Sequence, residues 1–236
     1  MPITFDFAQP PGVGNLGPVQ TVSSLIASLP GYEGFFIADD APAGRIEEWP
    51  SIPGRNAIFR QGAAARQPMR NTRDGVLVVD FDGEQAMELA GLTIGTPSSY
   101  TIGVRFHQKN YQTDAQVLFG YDLSSPTYRL MSRFANADHF FRMDSDIDIS
   151  IDVADENSWH TAIIAQGGGR MKLSIDGSPF SDVSRSSANL PGFFIGNGRA
   201  GTGSGYLDIR ALSLHRSDLS VNSANMETLR RVLEIA

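Results

Sequence analysis

The sequence predicts an all-β fold, a two-sheet antiparallel β-sandwich with short helices only near its ends. Three observations lead there. Apolar residues recur at every second position in many short runs, Gly and Pro are spread between those runs, and helical spacing occurs only near the termini. Crossover helices between the runs are missing, which excludes a parallel α/β sheet. The chain has 236 residues, 41% hydrophobic and 19% charged, enough for one large β domain with a packed core.

In chain order, Pro10, Pro11, Gly12, Gly14, Gly17 and Pro18 break any regular element before Val22 to Leu29 offers a short helix. Residues 1–30 therefore read as an arm that either wraps its own domain or anchors the chain to a partner, and residues 31–236 as the sandwich. Gly34 to Ala38 is the first expected strand. Residues 41–75 read as irregular, with Ala57-Ile58-Phe59 the one short strand.

Val76 to Phe81 is a strand with Asp82-Gly83 as its turn, and Met87, Leu89 and Leu92 mark the next. Tyr100 to Phe106 alternates so that Tyr100, Ile102, Val104 and Phe106 point inward while Thr101, Gly103 and Arg105 point to solvent. Two more strands, 116–121 and 128–134, flank Ser124-Ser125-Pro126. Ile147, Ile149, Ile151 and Val153 share one strand face and Asp144, Asp146, Asp148 and Asp152 the other. Trp159 to Ala165 and Met171 to Ile175 form a hairpin around a glycine-rich loop, and Asp176-Gly177 turns the chain again. Phe193 to Gly196 and Tyr206 to Leu214 are the last strands. Met226, Leu229, Val232 and Leu233 fall at helical spacing, so an amphipathic helix closes the chain.

The order of several short motifs resembles the concanavalin A-like lectin and glucanase superfamily, in particular the laminin-G-like modules of bacteriophage, prophage and gene-transfer-particle structural proteins. Trp49-Pro50-Ser51-Ile52-Pro53-Gly54 is similar to an early Trp-x-Asp-x-Ser-Gly loop, although its aspartate and serine are replaced. Arg66-Gln67-Pro68, Val79 to Gly83, Ser158-Trp159-His160-Thr161, Leu173 to Gly177, Phe194-Ile195-Gly196 and Tyr206 to Arg210 resemble the signatures that follow. The likeness covers roughly residues 31–236 and implies a jelly roll. It also implies a virion structural or adhesion subunit, such as a fibre, spike or decoration protein, which assembles in the bacterial cytoplasm as a homo-oligomer. On that reading the arm contacts other particle proteins and the rim loops bind host-surface glycans.

Sugar binding needs aromatic faces for stacking with amide or carboxylate groups for hydroxyls, and the loops carrying Tyr111, Gln112, Tyr128, Asn136 and His139 supply these types. Asp122 and Asp208, near strand ends, are the candidate ligands for calcium; no other cofactor is expected. The aspartate ladder resembles the acidic strand of the superfamily's glucanases, but it contains no Glu and reads more readily as a solvated strand face that discourages edge pairing. The chain is therefore expected not to be an enzyme, with a polysaccharide hydrolase or lyase and a ligand-free architectural subunit as alternatives. His160 beside Trp159 reads as structural, and His107, His139 and His215 lack the spacing of a metal site or a triad.

The net charge of -7 and a pI of about 5.0 give no footprint for nucleic acid. No apolar run reaches the roughly 18 residues of a membrane-spanning helix, and the start at Met1 lacks a signal-peptide pattern. Cysteine is absent, so neither disulfides nor thiolate metal sites stabilise the fold.

Overall fold

The computed structural model describes residues 21–52, 57–90, 99–109, 115–121, 129–135, 138–143, 147–151, 158–184, 192–196 and 205–236. Among these described residues, two eight-stranded antiparallel sheets stack face to face, and two α-helices lie on the outside of one of them.

The chain enters through helix α1 (Val22–Ala27), whose first turn is capped by the Thr21 hydroxyl accepting from the Ser24 N–H at 3.1 Å. Strands β1 (Tyr32–Ile37), β2 (Glu48–Pro50), β3 (Ile58–Arg60), β4 (Met69–Arg73), β5 (Val76–Gly83) and β6 (Ala86–Ala90) follow. Next come β7 (Tyr100–Gln108), β8 (Ala115–Tyr121), β9 (Arg129–Ala135), β10 (Asp138–Met143) and β11 (Ile147–Ile151). The chain ends with β12 (Trp159–Gly167), β13 (Arg170–Ile175), β14 (Ser181–Ser184), β15 (Gly192–Gly196), β16 (Gly205–His215) and helix α2 (Ser223–Ile235).

Sheet A runs β14-β13-β12-β7-β16-β5-β4, and sheet B runs β11-β10-β9-β8-β15-β6-β3-β2. Strand β16 has two successive neighbours on one side. Its first half pairs with β5 as far as Ile209 opposite Val79, and its second half pairs with β1 from Ala211 opposite Ile37. Arg210 sits at the irregularity between them. Its guanidinium takes Asp39, the Leu77 carbonyl at 3.0 Å and the Ala236 carbonyl at 2.7 Å.

Between the sheets lies the main core, with Phe36, Trp49, Phe59, Phe81, Phe106 and Leu212 among its buried side chains. Trp49 is fully buried, and its indole N–H donates to the Ile37 carbonyl at 3.0 Å, so the ring packs without an orphaned donor. A second core forms between sheet A and the helices, where Leu229, Val232 and Leu233 of α2 meet Phe35, Ile163 and Ala211. Asn222 caps α2 by accepting from Ala224 and Asn225 N–H groups.

The fold class is as the sequence predicts, and five local expectations change. Residues 41–75 hold three strands rather than one; β4 was masked by its polar Arg-Asn-Thr composition. The two-residue turn sits at Asp74-Gly75, with φ of 51° and 83°, whereas Asp82 and Gly83 end strand β5. Residues 138–143 are strand, not part of a loop, and β14 is an additional strand. The outward set of β7 is not solvated: Thr101 is fully buried, its hydroxyl donating to the Ser217 carbonyl and accepting from the Leu219 N–H, and Gly103 lies under Leu229 and Leu233 of α2. The Gly-rich hairpin loop and the closing helix stand where expected, the former turning on Gly168 and Gly169, both at positive φ.

Candidate functional site

On the two outer faces the sheets differ. Sheet A carries the helices, while on sheet B a cross-strand row of polar and aromatic side chains faces outward. Alternation decides which residues these are: Phe59, Met87, Leu89 and Ile195 point into the core, so Arg60, Glu88 and Phe194 point out. Register then aligns them, because Arg60 lies opposite Glu48 on one side and Glu88 on the other, and Phe194 lies opposite Glu88. Directly opposed residues on one sheet face stand about 5 Å apart, close enough for one ligand to span them.

A cavity of about 480 Å³ opens at this row, lined by Arg60, Glu88 and Phe194 together with Gln61, Gly62, Arg66 and Ala86. Its wall after β3 is held by hydrogen bonds. Gln61 donates to the Ala86 carbonyl at 2.8 Å and accepts from the Ala63 N–H at 3.0 Å, and Gln67 donates back to the Gln61 carbonyl at 2.9 Å. The Arg66 Nε–H donates to the Glu84 carbonyl at 3.3 Å, tying this wall to the β5–β6 connection. Arg60 forms an exposed ion pair with Glu48 at 3.0 Å. A half-buried phenyl ring, a carboxylate and two guanidinium groups around such a volume suit a polar ligand with apolar faces.

These residues escaped sequence reasoning. Period-two alternation places Arg60 and Glu88 on the outer face, but only the pairing order β3-β6-β15 brings them beside Phe194, and no local pattern encodes it.

Of the sequence-predicted positions, Tyr111, Gln112, Tyr128, Asn136 and Asp122 lie outside the described residues, as do Asp144, Asp146 and Asp152. His139 is in β10, opposite Phe134 and Ile151. Asp208 is buried in sheet A opposite Asp80, with Arg73 Nε at 2.8 Å and Lys109 Nζ at 3.6 Å; Lys109 also binds Asp80. Burial pushes the Asp208 carboxyl above the usual range, and the charge of Lys109 and the hydrogen bond from Arg73 pull it back. Cations surround this carboxylate. Among the described residues no group of three or more His, Cys, Asp or Glu converges to hold a metal ion.

His160, at the inner end of β12, has its Nδ1 at 2.7 Å from Asp176, whose other oxygen accepts from the Thr161 N–H at 2.7 Å. This contact pins the Asp176-Gly177 turn to β12. Trp159 is stacked under Arg105, 5.5 Å from the ring centre, and donates to Asp74 at 3.2 Å.

The sequence matches no family model and no curated protein. Solved structures do resemble it in fold. Trypanosoma rangeli sialidase in complex with sialic acid superposes with a TM-score of 0.63 at 12% identity, over 88% of this chain and 36% of that one. The binding domain of botulinum neurotoxin serotype D gives 0.59 at 14% identity, over 89% and 53%. Botulinum neurotoxin type C, from a structure describing cell entry dependent on two ganglioside molecules, gives 0.54 at 12%, over 83% and 52%. The chain thus spans about a third of the sialidase and half of each toxin chain, and at these identities the likeness is one of fold. It corrects one expectation nonetheless. The chain was expected not to be an enzyme, yet its sandwich recurs in the chains of sialidases, so the fold supplies no ground for that exclusion.

Proposed function

We propose that the chain is a glycan-binding β-sandwich that takes its ligand in the outer cavity of sheet B. The observation that carries this reading is the row Arg60, Glu88, Phe194 opening on about 480 Å³, a volume suited to one or two sugar rings. Phe194 stacks on the apolar face of a ring, Glu88 accepts from hydroxyls and the arginines donate to ring substituents. A fold relative in complex with sialic acid, and another whose cell entry depends on gangliosides, add support from analogy.

The test is a glycan array probed with the full chain and with Phe194→Ala. Binding that the variant weakens supports the reading, and binding indifferent to Phe194 and Glu88 overturns it. The same samples are monitored for released sugar. Turnover that disappears in Glu88→Gln extends the reading to hydrolysis, which in glycosidases generally needs a pair of carboxyl groups.

The cellular setting we propose is a phage-like particle, in which the chain is a homo-oligomeric adhesion subunit anchored by residues 1–30. Motif order in the sequence supports this setting. Light scattering with and without those residues tests it: an oligomer that dissociates on truncation agrees, and an unchanged monomer does not.

A further inference from the structure

The outer face of sheet A is covered in two ways. Helix α2 lies over Gly103 and Ala211 and ends beside Arg210, which binds the Ala236 carbonyl. Past that end a cross-strand row runs Trp159, His107, Asp208 and Asp80, on four adjacent strands. Phe106, Leu207 and Phe81 next to these residues point into the core, so the row points out. Asp208 is nevertheless only 1% exposed and His107 5%. We propose that the tip of the β4–β5 hairpin, residues 71–76, is a strap that closes over this row and lifts off it as one piece.

The hairpin leaves the sheet before its tip. Strand β5 pairs with β16 from Val79 to Gly83 and with β4 from Val76 to Asp80, so its first residues belong to a two-stranded ribbon. Both strands are pinned near the base of that ribbon. The Arg70 N–H donates to the Gly44 carbonyl at 2.9 Å and its guanidinium to the Ala41 carbonyl at 2.7 Å, while the Leu77 carbonyl accepts from Arg210 at 3.0 Å.

Beyond these pins the ribbon bends over the outer face. In a flat sheet Asp74 would stand three strands from Trp159, about 14 Å, and beyond the row by four residues of strand, about 13 Å. Instead its carboxylate accepts from the Trp159 indole N–H at 3.2 Å. Arg73 Nε reaches Asp208 at 2.8 Å by the same bend, and Asn71 donates to Asp80 at 3.0 Å.

Polar contacts alone hold the tip down. Asn71, Thr72, Asp74, Gly75 and Val76 are exposed and Arg73 is half-buried, so lifting the tip withdraws no buried apolar side chain from the core. Segments with this profile open locally at a small fraction of the global unfolding free energy. The Asp74-Gly75 turn, both residues at positive φ, and the Thr72–Leu77 and Arg73–Val76 pairs keep the tip a hairpin as it moves. Lifted, it presents an indole, an imidazole and two carboxylates on one open face, separate from the sheet B cavity.

The two tryptophans of the chain read the two kinds of opening. The Trp49 indole N–H is bonded in the core to Ile37, and that of Trp159 is bonded to the strap. Hydrogen exchange of both is followed by NMR in the full chain, in Arg73→Gln and in Arg73→Lys, at urea concentrations below the unfolding transition. Trp159 exchanges many times faster than Trp49 and at a rate independent of urea, because a local opening exposes little surface, whereas Trp49 accelerates with urea. Arg73→Gln touches neither indole, yet it speeds Trp159 exchange about 10-fold, as for loss of one charge-assisted hydrogen bond, and Arg73→Lys falls between. Slow, urea-dependent exchange of Trp49 establishes that each variant is folded. Trp159 exchange that ignores Arg73→Gln overturns the inference, since the Asp74 side chain then swings away by itself. Exchange of Trp159 at the rate and urea slope of Trp49 also overturns it, since the row is then uncovered only by global unfolding.

Discussion

Arg210 and Asp39 meet in a two-pronged ion pair, Nη1 to Oδ1 at 2.8 Å and Nη2 to Oδ2 at 3.0 Å, across 171 residues of sequence. The pair sits where β16 exchanges one neighbour for the other, and the same guanidinium also binds carbonyls of Leu77 and Ala236. Arg210→Ala leaves these acceptors and a partly buried carboxylate without their donor. A loss of about 3 kcal/mol is expected, read from urea denaturation midpoints at constant m. Arg210→Lys recovers less than half, because an ammonium cannot span the fork.

Gly196 ends β15 at a φ of 78°, and a Cβ there would lie 2.5 Å from the Gln85 carbonyl oxygen and 2.6 Å from the Phe81 ring. Backbone on one side and a core phenyl on the other cannot both yield. Gly196→Ala therefore costs about 2–4 kcal/mol from left-handed strain and overpacking together. Because Phe194 is two residues away on the same strand, the proposed glycan binding should weaken in this variant too, measured beside its melting temperature.

His215 is buried against Tyr32, their rings edge to face at 5.9 Å, and burial pushes its imidazole down from 6.5 to about 4, with the Pro30 backbone opposing. The folded value lies below the unfolded one, so the stability is fully present above pH 6.5. It falls as acidification protonates the unfolded chain first, and levels off near pH 4. The total is about 3 kcal/mol. Asp208, whose carboxyl is raised by burial, works in the opposite sense at the acid end of this window. Denaturation curves from pH 7 to 4 should show a shallower acid loss in His215→Gln than in the parent.

Leu233 is fully buried between α2 and sheet A, and its Cδ1 would lie 2.6 Å from a Cβ placed on Gly103. The helix lies this close because β7 has a glycine beneath it. Leu233→Ala opens a cavity in the second core and costs about 2–5 kcal/mol. Hydrogen exchange should locate the extra opening in α2 and the outer face of β7, leaving β3 and β6 protected as before.

Much of the architecture was legible locally. Ile102, Val104 and Phe106 alternate as a half-buried strand must, and Leu229, Val232 and Leu233 mark the closing helix. The fate of Thr101 was not legible, since its burial depends on Ser217 and Leu219, more than a hundred residues later. Strand β4 hid for another reason. None of its five residues is buried on either face, so no apolar rhythm announces it. Arg60, Glu88 and Phe194 each obey simple alternation, yet their convergence is a property of strand order, which sequence periodicity does not carry.

Strand β16 joins β7 on one side to β5 and then β1 on the other. On a ribosome all three of those neighbours emerge first, and the strand that unites them comes among the last. Until then the nascent sheet A is three pieces, β14 to β7, β5 with β4, and β1 by itself, with open edges at β7, β5 and β1, the kind of surface that invites mispairing and chaperone attention. The slow step in maturation should accordingly be the insertion of a single late strand between edges that have already formed.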